Sequence, residues 1–306
     1  MSTLSQDLRP EAESAPAVPP SPRRESIGSR VVAWLGRGVV SAVLAVIALF
    51  WLLPSLGLFI SSLRSAQDSN ASGWWTFLTS PAQLTIENYR SMFANDGMVN
   101  AFFNTVWITV PATVLVVVLA SLAAYAFAWM EFKGRDWFFI AVVGLLVVPV
   151  QVALIPVARL FGDLGIYGSR LSVILFHVAF GLPFAVFLLR NFFAGLPREL
   201  LEAARMDGAG EWRIFRSVIM PLGLPAIASL GIFQFLWVWN DMLIALVFAD
   251  SSAAPLTVAL QSQARQFGSN IDVLATGAFL SLVVPLIVFF SFQKYFEQGV
   301  LAGSVK

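Results

Sequence analysis

Cysteine is absent from this chain and histidine occurs once, as His177. Without cysteine there is no thiolate zinc site, iron–sulfur cluster, disulfide or thiol nucleophile, and one imidazole makes no multi-histidine metal centre. Charge is also scarce. Asp, Glu, Lys and Arg make up 12% of the 306 residues, against ~25% in soluble globular domains. The 19 basic and 18 acidic residues leave a formal charge of +1 with no dense basic run, so a nucleic-acid partner has no electrostatic support. The three Lys are Lys133, Lys294 and Lys306, and none stands in the Gly-x4-Gly-Lys-Ser/Thr pattern of a P-loop. Nor is there a paired-carboxylate or nucleophile–base constellation. These gaps argue against an enzyme and against a nucleotide site in this chain.

What the chain has is apolar length. Hydrophobic residues make up 58% and mean hydropathy is +0.78. Six stretches of at least 19 residues lack Asp, Glu, Lys and Arg: 38–63, 97–130, 137–158, 171–189, 217–240 and 273–293. A membrane helix needs about 20 predominantly apolar residues, because hydrocarbon offers its backbone no water to bond. The pattern predicts an all-α integral membrane protein with six transmembrane helices, the second starting near Thr105 after a polar lead-in. Pro54, Pro111, Pro149, Pro183 and Pro285 fall within these runs, where each removes a backbone hydrogen bond and favours a kink.

Cytoplasmic segments carry the excess of Lys and Arg. With the N-terminus inside, Arg64, Arg90, Arg159, Arg170 and Arg265 lie outside, leaving 14 of the 19 basic residues inside. Both termini are therefore expected to be cytoplasmic. Residues 1–30, with Pro10, Pro16, Pro19, Pro20 and Pro22 among polar neighbours, are expected to be a disordered cytoplasmic tail. Residues 31–306 form the transmembrane domain. An uncleaved first span is expected, because a signal peptide would place its apolar run much earlier. Outside, residues 84–93 predict a short helix capped by Thr85, with Trp74 and Trp75 suited to the membrane interface.

The segment 196–221 between the fourth and fifth spans is the most informative. Pro197 suits a helix start, Glu199 places negative charge in the first turn, and residues 200–203 favour helix. A helix over about 197–207 is predicted, ended by Gly208 in the left-handed conformation and followed by a second helix whose apolar stripe begins with Trp212, Phe215 and Ile219. Ala203 and Ala204 leave a small-residue surface, flanked by Glu202 and Arg205, on which another protein can approach closely.

Glu202-Ala203-Ala204-x3-Gly208-x9-Val218-Ile219-Met220-Pro221 resembles the EAA loop of permease subunits of ATP-binding-cassette importers, with Val218 and Met220 as apolar-for-apolar departures. The wider run to Asp207-Gly208-Ala209, Leu84-Thr85-Ile86-Glu87-Asn88-Tyr89 and Phe235-Leu236-Trp237-Val238-Trp239-Asn240-Asp241 are similar to the carbohydrate branch, in particular the maltose-type permease. The resemblance covers residues 38–306. It implies the type I importer permease fold in a prokaryotic inner membrane, with Glu202, Ala203, Ala204, Asp207, Gly208 and Pro221 coupling to a separate ATPase. It further implies a second permease subunit, an ATPase dimer holding ATP and Mg, and an extracellular or periplasmic sugar-binding protein. No cofactor or metal is implied for this chain itself.

No charged residue lies inside an assigned span, whereas ion-coupled carriers hold such groups at membrane depth. The polar and aromatic residues there are Gln151, Gln234, Trp237, Trp239 and Asn240, with His177 nearby. Amides bond sugar hydroxyls and aromatic faces meet sugar C–H faces, so these five are candidates for a substrate path. Their other use is structural: amides bonding neighbouring helices, tryptophans anchoring at the interface, and His177 packing locally. Two functions compete with sugar import: the same architecture carrying another solute, such as glycerol phosphate or a peptide, and a self-contained secondary carrier.

Overall fold

The structure, a computed structural model, describes residues 27–267 and 271–304. Residues 1–26 of the expected tail lie outside them, whereas residues 27–30 already belong to the first helix. The helices are α1 (Ile27–Ser62), α2 (Ala66–Ala71), α3 (Glu87–Ala94), α4 (Asp96–Trp129), α5 (Arg135–Gly144), α6 (Val150–Asp163), α7 (Arg170–Ala194), α8 (Arg198–Met206), α9 (Glu211–Ile214), α10 (Met220–Trp239), α11 (Leu243–Phe248), α12 (Leu256–Phe267) and α13 (Ile271–Ser304). The chain divides into a unit ending at Leu53 and a unit from Pro54 onward. The first contains the apolar run of α1 up to Leu53, and everything below concerns the second.

Five helices are long and apolar enough to cross a bilayer: Gly38–Ser62, Asp96–Trp129, Arg170–Ala194, Glu211–Trp239 and Asp272–Lys294. The expected third span, 137–158, is not one rod. Arg135–Val147 and Val150–Asp163 meet at 103°. Proline has no N–H and forces the residue before it out of helical conformation; Val148 is extended and Pro149 begins α6 from a non-helical N-cap. At Pro54, Pro111, Pro183 and Pro285 the helix runs on.

Hydrogen bonds between helix ends show that the bent pair nevertheless crosses. At one end, Asn104 of α4 donates to Ser252 O and Ala254 O, Leu256 N donates to Thr105 Oγ1, and Ser172 of α7 donates to Phe248 O. At the other, Trp129 Nε1 donates to Phe193 O, joining the last turns of α4 and α7. α4 thus finishes at the end opposite to where α7 begins. The 130–169 segment must carry the chain back, and six membrane segments result. α4 has 34 residues, about 50 Å of helix, more than the ~30 Å hydrocarbon; its polar start, read as a lead-in, is helix from Asp96 and serves as the attachment for residues 252–256.

Ala112, Val116, Ala120 and Ala124 recur every fourth residue on α4 and are fully buried, as are Ala185, Leu189 and Phe193 of α7. Small residues on one helix face let backbones approach closely, which is how membrane helices gain dispersion without a hydrophobic driving force between them. At the Ser62 end, buried Arg64 donates to Gln83 Oε1, Asp68 O, Ser72 O and Oγ, and Thr76 Oγ1, so one guanidinium gathers the 65–83 segment. The short helix expected at 84–93 is α3, but it starts at Glu87 with Ile86, not Thr85, as N-cap; Thr85 Oγ1 accepts from Glu87 N one residue ahead of the cap.

The paired ends put Ala82, exposed on the Arg64 loop, and Lys133, exposed beyond α4, at opposite ends of the helices, and the Lys and Arg bias predicts that Ala82 is the outer one. In a chain with no native thiol, Ala82→Cys is expected to react with an impermeant thiol reagent in intact cells, and Lys133→Cys only after the membrane is opened. The opposite pattern would invert the orientation.

Candidate functional site

Two places gather the sequence candidates, one at the Trp129 end of the helices and one within the membrane. At the first, α8 ends as its residues dictate. Gly208 N–H bonds Arg205 O and Ala209 N–H bonds Ala204 O, both at 3.0 Å, with Gly208 at φ +76°. This pair of bonds closes a helix through a left-handed residue. α8 starts one residue later than expected, with Pro197 as its N-cap. Leu201 is 1% exposed and faces the core, whereas Glu199, Glu202, Ala203, Asp207 and Met206 are exposed, Met206 to 89%. Glu202, Ala203, Asp207 and Gly208 therefore lie on or at the end of one outward surface. Ala204 instead packs against the core, and Pro221 sits in the first turn of α10 beyond a π-helical turn, Phe215–Ile219.

The loop is tied to the membrane helices by residues that spacing did not single out. Glu211, the first residue of α9, accepts from Tyr125 Oη of α4 and, at 3.1–3.2 Å, from the Arg205 guanidinium of α8. Arg205 also reaches Trp129 O at 3.4 Å, and Tyr125 packs on Phe215 with ring centroids 5.3 Å apart. The Arg205 and Glu211 side chains are each 42% exposed, and such pairs contribute only ~0.2–1 kcal/mol. What the arrangement supplies is geometry: it links α8, α9 and the last turn of α4 directly.

The second place is a groove of about 350 Å³ between α7 and α10, lined by Phe180, Gly181, Phe184, Leu230, Phe233, Gln234 and Trp237. Of the five path candidates the structure brings Gln234 and Trp237 together here. Gln234 is 5% exposed and its Nε2 has no hydrogen-bond partner. Gly181 makes room for it, since a Cβ at 181 would lie 2.8 Å from both amide heteroatoms. Trp239 lies elsewhere: it is 1% exposed, donates Nε1–H to Ser281 O of α13 at 2.9 Å and packs on Phe102. Asn240 bonds back to Leu236 O of its own helix, and Gln151 is exposed in the first turn of α6. Phe180, Gly181 and Phe184 were missed, because α7 is apolar on every face and its periodicity does not say which face meets a groove.

At the Ser169 end, Asp250 N–H bonds Gly168 O, and the Ser252 hydroxyl with the Ala253 N–H holds the Asp250 carboxyl below the usual carboxylate range. No group of three or more metal-ligating side chains occurs among the described residues.

Six membrane segments joined by a loop whose short helix turns one face away from the core describe a multi-pass membrane protein. Residues 99–302 match the family described as binding-protein-dependent transport system inner membrane component. The chain is 48% identical over 295 residues to the osmoprotective compounds uptake permease protein GgtD of Synechocystis, covering 95% of this chain and 99% of that one. It is 46% identical over 235 residues to the alpha-glucoside transport system permease protein AglG of Rhizobium meliloti, covering 74% and 62%. A crystal structure of a bacterial ABC transporter involved in the import of the acidic polysaccharide alginate matches with a TM-score of 0.71 at 24% identity, over 89% of this chain and 99% of that one. The chain belongs to the binding-protein-dependent transport system inner membrane component family. It is the transport permease subunit of an ABC importer, and ATP hydrolysis falls to a separate ATPase.

The Gly208 turn allows a clean test, because nothing lies within 4 Å of a Cβ built there and only the backbone conformation is at stake. Gly208→Val is expected to cost ~1–3 kcal/mol of strain, confined to the loop. Membrane abundance should stay near normal while co-purification of the ATPase and solute uptake fall. Gly208→Asn should be milder, since Asn tolerates the left-handed region. Equal loss by both variants, or by neither, would contradict this reading.

Proposed function

We propose that this chain is one of two permease subunits of an importer for neutral glycosides, docking an ATPase dimer through the outward face of α8 and receiving its solute from an external binding protein. ATP and Mg belong to the ATPase. The observation that carries the substrate class is the groove lining: four aromatic rings and one buried amide with an unused donor, and no charge. A sugar offers C–H faces to rings and hydroxyls to an amide, and its neutral hydroxyls are far cheaper to dehydrate there than a carboxylate or phosphate. The name of AglG, an alpha-glucoside transport system permease protein, supports the same class. Glycerol phosphate and acidic sugars fit the lining poorly.

Uptake by proteoliposomes containing the assembled transporter and its binding protein tests this with sucrose, methyl α-glucoside, glucuronate and glycerol 3-phosphate as probes. Neutral glucosides should be carried and the two anions not. Gln234→Leu removes one neutral hydrogen bond, ~0.5–1.5 kcal/mol, so KM should rise up to about tenfold while ATPase association is unchanged. Gly181→Ala, which crowds the amide, should raise KM similarly, and adding Gln234→Asn should relieve it. Transport of the anions alone would overturn the substrate class. Native KM in Gln234→Leu would remove the groove from the path.

A further inference from the structure

Trp237, the tryptophan wall of the groove, is backed by the chain's one imidazole. His177 stacks on it with ring centroids 5.0 Å apart and planes inclined by 26°. His177 is 1% exposed, and neither ring nitrogen has a hydrogen-bond partner. A neutral imidazole carries one donor and one acceptor, so the burial leaves two polar demands unanswered by protein atoms. His177 also bounds a cavity of about 10 Å³, together with Thr105, Thr109, Asp241 and apolar neighbours. Thr109 is fully buried and its Oγ1 is likewise without a partner. Asp241 Oδ2 stands 3.7 Å from His177 Nε2, beyond direct hydrogen-bond reach. Thr105 has no donor to spare, since its hydroxyl donates to Ala101 O and already accepts from Leu256 N.

A cavity of this size admits one water molecule, and a buried water needs two to four polar partners. His177, Thr109 and Asp241 supply three, with both donors and acceptors among them. We propose that these three side chains bind a single buried water, and that through it His177 acts as a positioning residue that fixes Trp237. Asp241 is itself anchored, its carboxylate accepting from Ile244 N and Ala245 N at the start of α11 and its carbonyl from Thr257 Oγ1 at 2.7 Å. The water therefore ties the groove wall to the segment that follows α10. The water site stands on the burial of its side chains alone; its effect on the solute rests on the groove being the path.

The test replaces the 10 tryptophans with 5-fluorotryptophan in the assembled transporter in lipid nanodiscs and identifies the Trp237 fluorine line by its loss in Trp237→Phe. Thr109→Val keeps shape but removes a water ligand, and it should shift or split the Trp237 line while leaving Trp212 unmoved. Thr109→Ser, which retains the hydroxyl, should restore the native line, and Asp241→Asn should shift it. A high-resolution map of the native assembly should show one density peak between the three side chains. With sucrose as probe, Thr109→Val should raise KM with little change in maximal rate. A Trp237 line at its native position in both Thr109→Val and Asp241→Asn would overturn the proposal, as would a map with no peak. A line that moves in a transporter that carries no glucoside would uphold the positioning and overturn the substrate class.

Discussion

The carboxylate of Glu211 is the contact on which the transport reading depends. It joins three pieces of chain that are far apart in sequence: α8 through Arg205, the start of α9 in its own backbone, and α4 through Tyr125. Without it, α8 would keep its buried Leu201 and Ala204 and the Arg205 contact to Trp129 O, but would lose the carboxylate that joins it to the start of α9 and to Tyr125. With it, α8 is joined to α4, whose fully buried alanine stripe lies in one core with α7, one wall of the groove. Phe215 and the π turn lead on to α10, the other wall. Under the proposed function this is the route by which a displacement of α8 would reach the groove. The stabilisation from a half-exposed ion pair is small; what matters is that these elements keep one relative position.

The division of labour follows from the same geometry. In this family ATP hydrolysis falls to a separate ATPase, and the proposed function gives this chain the conversion of movement at one end into a change of access along the groove. The bend between α5 and α6, the π turn before α10 and the glycine turn after α8 are the places where the backbone leaves regular geometry, and the first two flank the helices that line the groove. The groove lining holds no charge and one unsatisfied amide, a combination that under the proposed function would suit weak, releasable binding of a neutral polyhydroxylated solute.

Much of the fold was legible in the sequence. Five spans and the α8–Gly208 turn follow from local features: apolar length, charge-free runs, and a residue free to adopt positive φ. What could not be read locally is instructive. Pro149 breaks its span and Pro111 does not, although both interrupt apolar runs, because the outcome depends on what neighbouring helices can re-satisfy. Gln234 faces the groove and Trp239 faces α13, but α10 is apolar on all sides and no periodicity separates the two. Tyr125 and Glu211 are 86 residues apart, and neither carries a local sign of the other. Arg64 looked like one of five outer charges, yet it is the buried hub of a loop.

The coupling claim is tested most directly by counting ATP hydrolysed per solute imported in proteoliposomes of the assembled transporter, native against Glu211→Ala. The account predicts that the variant still binds its ATPase through α8 and still hydrolyses ATP, while the ratio of ATP consumed to solute imported rises about tenfold or more, the scale of a lost coupling of ~1–3 kcal/mol. An unchanged ratio in a variant that assembles normally would contradict the claim that Glu211 links the docking loop to the membrane helices.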